Sequence, residues 1–169
     1  GWTHWRKSGK ETVGPGNVSI DLWPDMSELD EDERYATGFV HADGSSGELF
    51  SSANRKTVLR HFRWMREYGI DGVFVQRFAN GITPGSLKIQ HKNTVLSHAR
   101  EGANQHGRAY ALMYDLSGLP RGGTRQVYHD WRMLRNTMRL GEDHAYLKHR
   151  GKPLVAIWGV GFGDDREYT

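Results

Sequence analysis

The sequence predicts a parallel α/β fold, and three observations predict it. Segments with helical apolar periodicity alternate with short apolar runs. The runs 70–77, 108–115 and 152–159 are near-continuous in apolar residues, as strands buried on both faces are. A glycine (Gly69, Gly107, Gly151) stands before each run, where a left-handed residue ends a helix. Helix–strand alternation of this kind implies βαβ units with right-handed crossovers and helices outside the sheet.

Residues 1–53 lack clear periodicity. They contain Gly-Pro-Gly at 14–16, one strand candidate at 17–22 and an acidic stretch at 28–33 that reads as a solvated loop. From Ser52 the chain is regular. Ser51 or Ser52 caps a first helix whose apolar face is Val58, Leu59, Phe62 and Met65. A second helix at 87–105 carries the stripe Val95, Leu96, Ala99 and Ala103. A third, capped by Thr124, carries Val127, Trp131, Leu134 and Met138. A short helix over 142–149 is expected to lead to Gly151. Three strands do not close a barrel, no helix follows the third, and the chain opens on Gly1 rather than Met. The expectation is therefore that residues 1–169 form one partial domain, the N-terminal part of a (β/α)8 TIM barrel. Such a piece is expected to be inactive alone, and prone to associate through its exposed edges. A complete small open-sheet domain is the alternative.

Composition narrows the function. Six Trp and seven Tyr in 169 residues suit a core, and also a surface that stacks on flat ligands. A net charge of +3 with scattered basic residues does not make the stripe that nucleic acid requires. There is no cysteine, hence no disulfide framework or thiolate metal site. His91 and His98 are seven apart and His144 and His149 five apart, poor spacings for sharing a metal, so neither a metal nor a cofactor is expected. No run is long and apolar enough to span a membrane, and no signal peptide is visible.

In a parallel fold, function belongs at the carboxyl ends of the strands. Those ends carry Arg77, Tyr114, Asp115 and Trp158, which would converge on one mouth. Arg77 offers a fork of donors, Asp115 accepts hydroxyl hydrogen bonds, and Trp158 presents a ring face to sugar C–H groups. Trp2, His4 and Trp5 are candidate loop contacts. Cleaving a glycosidic bond takes two carboxylates. Asp115, Asp164 and Asp165 are placed for it, Asp21 and Asp25 less clearly, and no acid/base pair emerges. The glycines of 159–163 allow a third reading as a small nucleotide-binding domain. They lack the spacing of a dinucleotide loop, and Asp164 and Asp165 would repel a pyrophosphate.

The stretches Asp71-Gly72-Val73-Phe74-Val75-Gln76-Arg77-Phe78, Tyr114-Asp115-Leu116-Ser117-Gly118, Ile157-Trp158-Gly159-Val160-Gly161-Phe162 and the earlier Gly16-Asn17-Val18-Ser19-Ile20-Asp21-Leu22-Trp23-Pro24 resemble bacterial proteins related to glycoside hydrolase family 99. That group includes endo-α-mannosidases, endo-α-mannanases and proteins called xylosidases or arabinosidases. The resemblance implies a (β/α)8 barrel, a carbohydrate substrate (α-mannan-like or xylan/arabinan-like), retaining hydrolysis through a 1,2-anhydro sugar, and a secreted, periplasmic or cell-surface location. It implies a substrate contact for Tyr114 and Asp115. The family's paired glutamates lie in a Glu-Trp-His-Glu motif that this sequence does not contain, so no catalytic residue is carried over. A non-catalytic carbohydrate-binding barrel is the corresponding alternative.

Overall fold

The first of two units, which divide between Val58 and Leu59, holds a hairpin whose turn is His41-Ala42-Asp43-Gly44-Ser45. A computed structural model describes residues 5–7 and 12–160. In the first unit β1 (Tyr35–Val40) pairs antiparallel with β2 (Ser46–Leu49). Asp43 Oδ1 closes the turn by accepting from the Ser45 N–H at 2.9 Å and the Ser45 hydroxyl at 2.6 Å. Trp23 packs edge-on against Phe39 and donates its indole N–H to Glu48 O at 3.0 Å. No strand forms over 17–22. Gly16 turns left-handed (φ +76°) and Asn17 makes only a bridge to Gly14, which turns the chain instead of extending it.

The acidic stretch is not a free solvated loop. It holds a 3₁₀ turn, Glu31–Glu33, in which Glu33 is buried and its Oε2 accepts from the Asp30 N–H at 3.0 Å. The Lys56 ammonium bridges Asp30 at 2.7 Å and Asp32 at 2.8 Å. Asp30, Asp32 and Glu33 are close enough to share a cation, and that ammonium already occupies the position.

Helix α1 (Arg55–Glu67) starts two or three residues later than expected. Its cap is Asn54, whose Oδ1 accepts from the N–H groups of Lys56 at 2.9 Å and Thr57 at 3.3 Å. Ser51 Oγ serves the preceding turn by accepting from the Ala53 N–H at 3.2 Å. At the other end Gly69 lies at φ +70° and the Ile70 N–H reaches Met65 O at 2.8 Å, a six-residue closure that satisfies the last carbonyls.

The second unit continues with β3 (Gly72–Phe78), α2 (Leu87–His106), β4 (Ala109–Asp115) and α3 (Thr124–Thr137). A minimal hairpin of β5 (Lys148–His149) and β6 (Lys152–Pro153) precedes β7 (Val155–Trp158). Strands β3, β4 and β7 form one parallel sheet in that order, with α2 and α3 as crossovers. On α2, Leu96, Ala99 and Ala103 are buried as the periodicity predicts, and Phe62 of α1 packs against Gly102. Ser86 caps α2 by accepting from the Ile89 N–H at 3.2 Å. Ser86→Ala is expected to cost about 1 kcal/mol in urea unfolding while Ser86→Asp retains the stability.

The helix expected over 142–149 does not form. A 3₁₀ turn, Leu140–Glu142, follows α3, and the buried Asp143 then takes over. Its carboxylate accepts from Asn104, the Tyr110 hydroxyl and the Ala145 N–H, and pairs with Arg100. Burial opposes the charge, and these partners outweigh it and hold the carboxyl below its ordinary range. Gly151 is accordingly not a helix terminus. With Arg150 it makes the two-residue turn of the β5–β6 hairpin, at φ +49° and +76°.

Among the described residues β3 and β7 each pair on one side only, so the sheet is part of a barrel-like wall and not a closed barrel.

Candidate functional site at the strand ends

Side chains alternate across a strand, so the parallel register assigns each one to a face. Arg77 pairs with Tyr114, and Tyr114 with Ile157. Phe78 pairs with Asp115, and Asp115 with Trp158. The four residues expected around one mouth therefore divide into two pairs on opposite faces.

Arg77 and Tyr114 turn toward the helices. Arg77 is 1% exposed and Tyr114 0%. The Arg77 guanidinium grips Asp130 of α3 with two parallel bonds, Nε to Oδ2 and Nη2 to Oδ1, both 2.7 Å. Nη2 also donates to Asn93 Oδ1 of α2 at 2.8 Å. The Tyr114 hydroxyl donates to Asp130 Oδ2 at 2.6 Å. Burial, then the Asp130 charge, pushes that phenol far above its ordinary range, so it stays a donor. This geometry anchors the ends of β3 and β4 to both helices, and neither residue presents a polar group to the other face. Nearby, the Lys92 ammonium lies over Gly81. Burial, then repulsion from Arg77 and Lys88, holds it below the usual lysine range.

Sequence reasoning missed Asp130, although a signal existed. It stands three residues after Val127 and four before Leu134, on the apolar stripe of α3, where an unpaired carboxylate would be costly. A buried acid on that stripe calls for a buried cation.

Asp115 and Trp158 share the opposite face at the carboxyl end of the sheet. Asp115 is 3% exposed, and both its oxygens are held. Oδ2 accepts from Gln76 Nε2 at 2.5 Å and Oδ1 from the Ser117 N–H at 2.8 Å. Trp158 is 50% exposed, while its carbonyl accepts from the Leu116 N–H at 3.0 Å and locks the backbone beneath the ring. Gln76 and Phe74, on the same face of β3, are exposed. The result is a fixed carboxylate and amide beside an indole surface. That combination can orient hydroxyl groups and pack against sugar C–H bonds. Among the described residues Asp115 is the one carboxylate on this face of the three strands, so a cleaving pair is not assembled there.

Trp5 lies in the first unit, with its indole N–H donated to Phe50 O at 2.8 Å and its ring edge-on to that of Phe50. In the same unit Asp25 accepts from the Ser27 N–H at 2.8 Å. Trp2, His4, Asp164, Asp165 and the glycine loop beyond Val160 lie outside the described residues. No described helix is long and apolar enough to cross a membrane.

No protein-family model and no curated protein matches the chain. Among solved structures it is similar to the GH99 endo-α-mannosidase of Bacteroides thetaiotaomicron. One structure of that enzyme, in complex with bis-tris-propane, aligns over 70% of this chain and 32% of its own, with 17% identity and a TM-score of 0.50. A second aligns over 91% of this chain and 38% of its own, with 19% identity and a TM-score of 0.51. The chain thus spans about a third of those proteins. At such identities the likeness is one of fold. It relates the β3–β4–β7 sheet and its helices to part of a glycoside-hydrolase structure.

Proposed function

We propose that this chain contributes part of a glycoside-hydrolase-like barrel and binds a polysaccharide or oligosaccharide at the carboxyl ends of β3, β4 and β7. One observation carries the reading: a carboxylate, Asp115, held by one hydrogen bond on each oxygen and with acceptor capacity left, sits in register with a half-exposed tryptophan, Trp158, on one face of a sheet whose fold neighbours are glycoside hydrolases. Trp158 supplies the stacking surface, and Asp115 and Gln76 orient hydroxyl groups. Arg77 and Tyr114 serve the site from behind by fixing the strand ends through Asp130. The substrate class is an α-mannan-like or xylan/arabinan-like chain, and the barrel's chemistry is O-glycosyl hydrolysis.

A non-catalytic binding role is the second reading, favoured by the single carboxylate that the described strands place on that face. Calorimetric titration of the protein with soluble α-mannan, xylan and arabinan tests both. Binding to one of them is expected, weakened about tenfold by Trp158→Ala and by Asp115→Asn, as for a central contact of a binding surface. Release of new reducing ends assigns hydrolysis, and binding without release assigns the second reading. Absence of binding to all three, or binding indifferent to Trp158, overturns the proposal.

A further inference from the structure

The chain's surplus of positive charge lies on one segment. Residues 121–142 hold five arginines, no lysine and two acids, Asp130 and Glu142. That surplus of three equals the formal net charge of the whole chain, so the remaining residues balance. Neither acid offsets the arginines on the surface of α3. Asp130 is 5% exposed and grips Arg77, and Glu142 pairs with Arg139. At 3.6 residues per turn, Asp130 and the fully buried Leu134 mark the side of α3 turned to the sheet. Arg125, His129, Arg132 and Asn136 fall on the opposite side, with Arg135 beside them, and all five are exposed. Helices that flank α3 in a barrel wall would meet its sides and leave this outward face to solvent. Arg125 and Arg132 stand about 10 Å apart along the axis, and Arg135 about 15 Å from Arg125. No described carboxylate pairs with any of the three.

Such a face is unfavourable in the free protein. Arg125 lies in the first turn of α3, where the helix dipole favours anions and no acid is present. Arg132 and Arg135, three apart, repel as neighbours on a helix surface. A surface suited only to solubility intersperses both signs. Arginine to the exclusion of lysine adds a chemical preference, since the guanidinium fork matches the two oxygens of a carboxylate. The missing counter-charge is thus a row of oxyanions. We infer that the outward face of α3 is a second binding surface, for a uronate-bearing polysaccharide whose carboxylates pair with Arg125, Arg132 and Arg135. The choice of a saccharide among polyanions rests on the proposed polysaccharide reading. A membrane would need an exposed apolar face. That of α3 is turned inward, with Leu134 buried and Val127 packed against Ala79, Leu116 and Leu119. Single-stranded nucleic acid would need successive aromatic rings along the track, where the outward row offers His129 alone.

Polygalacturonate is the probe, and its fully methyl-esterified form is the neutral twin. Calorimetric titration is expected to show binding of the acid form alone, weakening as salt rises. The triple variant Arg125→Gln, Arg132→Gln, Arg135→Gln is expected to lose about tenfold or more in affinity, the scale of lost charge-assisted bonds. A control triple removes three exposed cations elsewhere, Arg66→Gln, Lys88→Gln and Lys152→Gln. It is expected to stay within about twofold of the parent, since screening limits the reach of remote charges. Circular dichroism of each variant establishes that it folds. Equal losses in the two triples mean attraction to net charge alone and overturn the proposal, as does equal binding of the ester. Tighter binding of polyuridylate or of phosphatidylserine vesicles, lost in the arginine triple, also overturns it and assigns the face to nucleic acid or to a membrane. Trp158→Ala separates the two surfaces, because it is expected to weaken neutral glycans and spare polygalacturonate. Loss of polygalacturonate binding in Trp158→Ala places the acidic chain at the strand ends and overturns this inference alone. Arginine-dependent binding of polygalacturonate without binding of any neutral glycan supports this surface and overturns the strand-end reading alone.

Discussion

Asp130→Ala is expected to destabilise the protein by about 3–5 kcal/mol, because it strands a buried guanidinium. Arg77 is 1% exposed and Asp130 5%, and the two bonds between them are both 2.7 Å. Removing the acid leaves Arg77 with the Asn93 carbonyl alone and deprives the Tyr114 hydroxyl of its acceptor. The cost belongs to the unpaired charge and not to any large net value of the pair. The combined replacement Arg77→Met with Asp130→Leu is therefore expected to recover most of the loss, since no charge remains buried. Urea unfolding of the parent, Arg77→Met, Asp130→Leu and the pair forms the cycle, with Asp130→Ala measured alongside. An Asp130→Ala loss below about 1 kcal/mol, the range of exposed ion pairs, would sink the assignment of this network as the anchor of the strand ends.

Gly72→Ala is expected to cost more than about 3 kcal/mol or to leave no soluble protein, the upper end of overpacking effects. A Cβ on Gly72 would stand 2.1 Å from Ala109 O, 2.7 Å from Ala109 C and 2.9 Å from Ala109 Cα. All three are backbone atoms of the neighbouring strand, which cannot yield as a side chain would. The Ala109 N–H is also bonded to Asp71 O at 2.8 Å, which holds the strands at this separation. Gly69→Ala provides the contrast. Its Cβ meets nothing within 4 Å, and only the left-handed backbone at φ +70° opposes it. That change is expected to cost about 1–2 kcal/mol. Equal losses at the two positions in urea unfolding would mean that strand separation near Gly72 is not fixed.

Much of the second unit was legible because its signals are local. Helical periodicity placed α1 and α2 on their buried faces, and apolar runs ending helices at Gly69 and Gly107 placed β3 and β4. The failures are equally physical. Residues 142–149 carry helix-compatible side chains, yet Asp143 is drawn into bonds with Asn104, Tyr110 and Arg100 that a helix there would forgo. The β1–β2 hairpin joins strands of six and four residues whose sequence carries little apolar alternation, and its register, from Tyr35 opposite Leu49 to Val40 opposite Ser46, is set between strands. Glu33 reads as one more acid in a charged stretch, and its burial depends on neighbours brought in by folding.

The candidate site divides the same way. By itself the sequence determined that Arg77, Tyr114, Asp115 and Trp158 stand at strand ends, because apolar runs are properties of contiguous residues, as are the helix-ending glycines Gly69 and Gly107. The expectation of one shared mouth left out that successive strand residues alternate, which puts Tyr114 and Asp115 on opposite sides. Only the tertiary structure decided which partner each one joins. Strand register puts Arg77 beside Tyr114 and Trp158 beside Asp115, and α3 delivers Asp130 to the first pair. Register and helix docking are fixed by contacts between residues far apart in the chain, where charge pairing and steric fit act and local pattern carries no record.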